Sequence, residues 1–75
     1  MSNKNIIGAN IRFYRKEKNY TQKELIARLG IQGIDLDEPK LSRIENQLRP
    51  ILDYEVLAFA KALDIPISYL FKKRQ

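Results

Sequence analysis

Apolar side chains recur at helical spacing in four stretches of this chain, and nowhere do they alternate over the four or more residues that a half-buried strand requires. In the first stretch Ile7, Ile11 and Tyr14 share one face, with Arg12, Arg15, Lys16 and Lys18 mostly on others, which predicts an amphipathic helix of about 12 residues. The Asn19-Tyr20 pair ends it. Thr21-Gln22-Lys23-Glu24 then reads as a capping box, Thr21 accepting from the Glu24 amide while the Glu24 carboxylate returns to the cap amide. Leu25, Ile26 and Leu29 form the stripe of the second helix, and Gly30 is expected to close it in the left-handed conformation.

Residues 31–36 carry no sustained stripe and Gly33 invites a turn, so this segment is expected to be a loop pegged into the core by Ile34 or Leu36. Asp37 is a good N-cap, Glu38 and Pro39 suit a first turn whose amides are free anyway, and Leu41 and Ile44 supply the apolar contact of a short third helix. That helix should stop near Asn46 or Gln47, because Pro50 restricts Arg49. Asp53 is expected to cap a fourth helix with Val56, Leu57, Ala60 and Leu63 inward, broken at Asp64 to Pro66. A last turn, Ile67 to Phe71, precedes a solvated Lys72-Lys73-Arg74-Gln75 end. Five short helices joined by connections of roughly two to seven residues describe a compact all-α bundle.

Composition narrows what such a bundle does. Seventy-five residues form a single domain, 1–75, that buries about 60% of its unfolded surface. With no cysteine and no histidine, a disulfide framework, a thiolate nucleophile, an imidazole base and an ordinary zinc site are excluded. Glu45 with Asp53 or Glu55 is a pair of carboxylates on paper only, and solvated helix-surface carboxylates are the ordinary reading. An enzyme is therefore not expected, nor is a cofactor, a metal or a small-molecule ligand. No signal-peptide core and no run of about 18 apolar residues occurs, so a cytoplasmic protein with no membrane partner is expected.

The formal charge is +5 and is unevenly placed. Residues 1–34 hold seven basic and two acidic groups, residues 35–64 four and seven, and the last eleven three and none. The excess suits a polyanionic partner. Two short helices before a capped third, with basic positions left outside the apolar ones, meet the requirements of a helix-turn-helix. The amino end of the second helix offers free amides and a positive dipole to a phosphate, with Thr21 and Gln22 adding side-chain hydrogen bonds. Lys40 and Arg43 share the face opposite Leu41 and Ile44. An arginine there pairs bidentately with guanine, contacts phosphate, or stays solvated or paired with a glutamate. Arg12 and Arg15 are open to phosphates or to acidic groups such as Glu45.

Ile7-Gly8, Ile11-Arg12, Arg15, Thr21-Gln22-Lys23-Glu24-Leu25, Leu29-Gly30, Leu41-Ser42-Arg43-Ile44-Glu45-Asn46 and Arg49-Pro50, continued by Leu57, Ala60-Lys61-Ala62-Leu63, Ile65 and Leu70, follow one another in a characteristic order. This order resembles the phage-repressor and Cro type of helix-turn-helix, the xenobiotic-response-element family, over about residues 7–71. The resemblance implies a compact five-helix lambda-repressor-like domain with its core in about 6–71 and its motif in about 21–47. It also implies transcriptional regulation, by a repressor that occupies a double-stranded DNA operator as a homodimer. Carried over residue by residue, it places Glu38, Pro39, Lys40 and Arg43 on base edges and Gln22 and Asn46 on phosphates; Thr21, Arg49 and Arg12 are expected as further phosphate contacts beside them. Glu45 falls on a structural position linked to a basic group.

The chain also departs from that family. The interval from Gly30 to Glu45, fifteen residues, is longer than usual and brings Asp35, Asp37 and Glu38 before the face that approaches phosphates. Asp37 is absorbed as a cap and Glu38 suits cytosine N4, leaving Asp35 to be explained. Pro39 cannot donate to a base and is reduced to apolar contact, as with a thymine methyl. Gln47 stands where a glycine is customary, so Asn46 or Gln47 must meet the cap geometry by another route. Ile26 replaces a small residue and is expected to push the second and third helices slightly apart. Phe13 and Tyr14 are adjacent, so one is expected to be partly exposed. Ile67, Tyr69 and Phe71 are the expected dimer surface. The competing reading is a protein-interaction module of the same fold, antitoxin-like or an anti-repressor partner, that binds through the acidic insertion.

Overall fold

The computed structural model describes residues 3–73; Met1, Ser2, and Arg74 and Gln75 of the expected solvated end lie outside the described residues. Helix α1 spans Gly8–Glu17, ten residues, and buries Ile7 and Ile11 as their spacing predicts. Helix α2 spans Gln22–Ile31 and opens with both halves of the capping box. The Thr21 hydroxyl accepts from the Glu24 amide at 3.1 Å and the Thr21 amide donates to the Glu24 carboxylate at 2.7 Å. Helix α3 spans Glu38–Glu45 and starts on Asp37, whose carboxylate accepts from the Lys40 amide at 2.9 Å. Helix α4 spans Asp53–Leu63, and a five-residue 3-10 helix, Ile67–Phe71, follows Pro66. The described residues are all-helical, with four α-helices and this last 3-10 helix.

All four α-helices stop in one way. After α1, α2, α3 and α4 a residue with positive φ, Asn19, Gly33, Gln47 and Asp64 respectively, turns the chain out of the helix. In each case its amide bonds back three residues and the next amide bonds back five, as in Gly33 to Gly30 (3.0 Å) and Ile34 to Leu29 (3.0 Å). This is the Schellman arrangement, which satisfies orphaned carbonyls at the helix end. It corrects the expectation for Gly30: α2 runs through that residue, and Gly33 is the left-handed one. After α1, α2 and α4 the following side chain, Tyr20, Ile34 and Ile65 respectively, packs against the core, whereas Leu48 after α3 is exposed.

Two further expectations are corrected at α4. Asp53 is the first helical residue and not the cap; Leu52 holds that place, and the carboxylate that accepts the Leu52 amide, at 2.9 Å, belongs to Glu55. Glu55 is buried and paired with Arg49, so tertiary structure selects it over the nearer aspartate. Leu57 is 47% exposed and the inward face is carried by Ala58, Phe59, Ala62 and Leu63.

Helix α2 packs on α3 and α4, while α1 crosses α3, α4 and the 3-10 helix. Between them lie Ile11, Leu25, Leu29, Leu41, Ile44, Phe59, Leu63 and Leu70, all fully buried. Leu36 joins this core at 6% exposure and Ile34 packs at its edge, so both candidate pegs hold the inserted turn. A radius of gyration of 11.1 Å, against about 11 Å for a compact chain of this length, leaves no projecting arm among the described residues. Phe13 and Tyr14 are both half-buried, because their rings meet edge to face at 4.9 Å and Tyr14 leans on Tyr69. Buried Asn10 fastens the last element, donating to the Leu70 and Lys72 carbonyls at 2.7 Å each.

Candidate nucleic-acid interface

The spacing that buries Ile7 and Ile11 also carries Arg15, one further step of four, onto the inner side of α1. Arg15 is 8% exposed and Glu45, at the end of α3, 5%. Their charges meet as a fork: Nε donates to Oε2 at 2.7 Å and the NH2 nitrogen to Oε1 at 3.0 Å. The remaining terminal nitrogen donates to the Tyr20 carbonyl at 3.0 Å. Burial of such a pair is tolerated only when its geometry is good and its other lone pairs and protons are satisfied. Gln22 completes it from α2, donating to Glu45 at 3.3 Å and to the Ser42 hydroxyl at 3.0 Å. One polar network therefore fixes α1, α2 and α3 to one another.

Around that network stand the residues expected to meet DNA. Gln22 is half-buried between α2 and α3, and Thr21 is exposed at the capped start of α2, where the Gln22 and Lys23 amides have no helical acceptor. Lys40 and Arg43 are exposed on α3, and among the described residues neither side chain has a hydrogen-bond or ion-pair partner. Pro39 is exposed beside them and Glu38 is half-buried in the first turn. Asn46 is exposed at the end of α3. Arg12 is exposed on α1, apart from the buried network that takes Arg15.

Arg49 is held differently. Its guanidinium meets the Glu55 carboxylate at 3.3 and 3.4 Å and the Pro50 carbonyl at 3.0 Å. Asp35 is exposed on the inserted turn. Periodicity had no means of singling out Ser42 or Asn5. Asn5 reaches from before α1 to the Ile44 and Arg49 carbonyls at 3.1 and 2.8 Å, and only a fold that brings positions about forty apart together makes such contacts.

Among the described residues no helix is long and apolar enough to cross a membrane. No curated protein and no solved structure shows a significant match to the chain. A helix-turn-helix family model does match, over residues 11–70, from the first turns of α1 to the buried Leu70. It takes in both helices of the motif, the inserted turn and the Arg15–Glu45 network. The chain belongs to the Cro/C1-type helix-turn-helix family, a family of DNA-binding domains of the transcription-regulator kind.

Proposed function

We propose that this domain recognises a specific double-stranded DNA operator as a homodimer in the cytoplasm and represses transcription by occupying it, without catalysis, cofactor or metal. The observation that carries the reading is the pair Lys40 and Arg43, exposed and unpartnered on a helix whose other face, Leu41 and Ile44, is fully buried. Glu38, Pro39, Lys40 and Arg43 read base edges, Arg43 as a fork on guanine O6 and N7. Thr21, Gln22, Asn46 and Arg12 meet phosphates, and Arg49 joins them when it exchanges Glu55 for a phosphate. Phosphate contacts position the domain and carry most of the salt-sensitive attraction, whereas base contacts specify.

A single module covers only about 600–1,000 Å² on DNA, so two copies on half-sites one turn apart raise both affinity and specificity. Ile67 and Phe71, 44% and 52% exposed, and Tyr69 beside them supply the contact between copies. Phe71 lines a groove with Ile6, Pro50 and Ile51 that extends this surface.

Selection of bound sequences from random duplex DNA tests the reading: an enriched, two-fold symmetric site is expected. Arg43→Ala or Lys40→Ala should then lose sequence preference, while Lys72→Ala weakens binding to all DNA alike. Equal losses on specific and random duplexes for all three overturn the assignment of readers. A second reading, a protein-binding module, draws on the exposed Tyr54 and Leu57, which line a groove with Gly33 and Ile34 beside the inserted turn. Salt separates the two, since DNA affinity falls by orders of magnitude between about 50 and 200 mM and binding in this groove does not.

A further inference from the structure

The far end of α3 is held by the segment that precedes α1. At that joint the Asn5 side chain meets three pieces of backbone. Its Oδ1 accepts from the Gly8 amide at 2.7 Å, and its Nδ2 donates to the Ile44 carbonyl in the last turn of α3 and to the Arg49 carbonyl beyond it. Gln47 closes the joint from the opposite side. Its Nε2 donates to the Asn5 carbonyl at 3.1 Å, and its own carbonyl accepts from the Lys4 amide at 2.9 Å. Gly8 permits the approach, because a Cβ there would overlap the Ile44 carbonyl oxygen.

These bonds supply what the core beneath α3 does not. Burial of Leu41 and Ile44 opposes separation of the helix from the bundle, but the hydrophobic effect is non-directional and resists sliding or rotation only weakly. Hydrogen bonds are directional. Glu45 and Ser42 hold one side of α3 to α1 and α2, while Asp37 caps its start from within its own chain segment. Asn5 adds a fastening at the carboxyl end, from outside the motif. Sites built to recognise a ligand must hold their contacting groups within about 0.5 Å of the productive geometry. Resting on the DNA-binding reading above, we propose that Asn5 is a positioning residue for base recognition: it fixes the axial place of α3, and through it the reach of Lys40 and Arg43, without touching DNA.

The prediction separates specificity from attraction, because a displaced α3 keeps its phosphate contacts more readily than its base contacts. Asn5→Ala removes all three side-chain bonds of the joint and leaves the two that Gln47 makes with backbone. Asn5→Ser keeps an acceptor for the Gly8 amide, so α1 retains its start, and removes the Nδ2 donor to the Ile44 and Arg49 carbonyls; it carries the test if the alanine variant does not fold. Leu63→Val, in the core on α4, is the control for a general loss of stability. Each protein is titrated, below its melting transition, with a duplex bearing the selected sequence and with a scrambled duplex of the same composition. Expected is a fall in the affinity ratio of roughly tenfold, the worth of one base contact, in the Asn5 variants alone, accompanied by shifts of the Lys40 to Glu45 amide resonances. An unchanged ratio in Asn5→Ser, or an equal fall in Leu63→Val, overturns the assignment. A wild-type protein that enriches no sequence instead overturns the DNA-binding reading itself.

Discussion

Replacing Arg15 by methionine isolates the strongest polar contact in the domain. The Arg15 side chain is 10% exposed and the Glu45 side chain 3%. The substitution therefore leaves a carboxylate in the interior with the Gln22 amide at 3.3 Å as its remaining partner, and leaves the Tyr20 carbonyl without its donor. Orphaning one member of a buried pair costs about 3–5 kcal/mol, against a total stability of roughly 4–11 kcal/mol for a chain of this length. At about 6 °C per kcal/mol for a domain of this size, the melting midpoint should fall by roughly 20–30 °C. Urea titrations followed by far-ultraviolet circular dichroism give the loss directly from the midpoint, with the slope unchanged. The double variant Arg15→Met with Glu45→Leu should recover most of it and come within about 2 kcal/mol of wild type, because an apolar pair of similar volume needs no desolvation. A single variant that loses less than about 1 kcal/mol, or a double variant whose loss equals both single losses added, refutes the claim that the two charges depend on each other.

Four further outcomes test the packing and the helix ends. Gly8→Ala, ordinarily favourable inside a helix, should cost about 3 kcal/mol in thermal melts, since the added methyl meets backbone at Ile44 that cannot withdraw without breaking the Asn5 joint. Leu36→Ala should cost about 2–4 kcal/mol in the same assay, a core loss and not a loop effect. Asp64→Gly should stabilise by about 0.5–1 kcal/mol by relieving a left-handed aspartate. Gln47→Gly, at an equally left-handed residue, should stay within about 1 kcal/mol of wild type because it also forfeits the bond to Asn5.

Those residues also mark how far the sequence reads on its own. Where a contact is local the chain declares it: the Thr21–Glu24 box and the Asp37 cap both form, and the stripes of α1 to α3 point inward. The sequence leaves Arg12 and Arg15 both open to phosphate or carboxylate, and it is the packing of α1 on α3 that buries Arg15 against Glu45. Gly30-Ile31 and Gly33-Ile34 offer the same local stop, and only packing separates them: Ile34 reaches the core while Ile31 is 83% exposed. Glu55 displaces Asp53 for a similar reason, through burial beside Arg49. Asn5, Asn10 and Ser42 act across 20 to 62 positions of sequence, and a polar residue carries no periodic mark of its distant partner. The proposed base-reading set, Glu38, Pro39, Lys40 and Arg43, follows from the family resemblance, with the exposure of Lys40 and Arg43 as its physical support.

The way α2 ends and α3 begins bears on how such a domain diversifies. The stop at Leu29 to Ile34 closes on itself, and the start at Asp37 draws only on the Lys40 amide, so neither terminus takes its geometry from the other. The stretch between them is then an adjustable spacer. Residues can be added or removed there, provided an apolar side chain still plugs the gap that Leu36 fills, without rotating either helix about its axis. A lineage built on this scaffold can therefore alter the chemistry ahead of α3 by changing a linker, leaving the helices that support it unaltered.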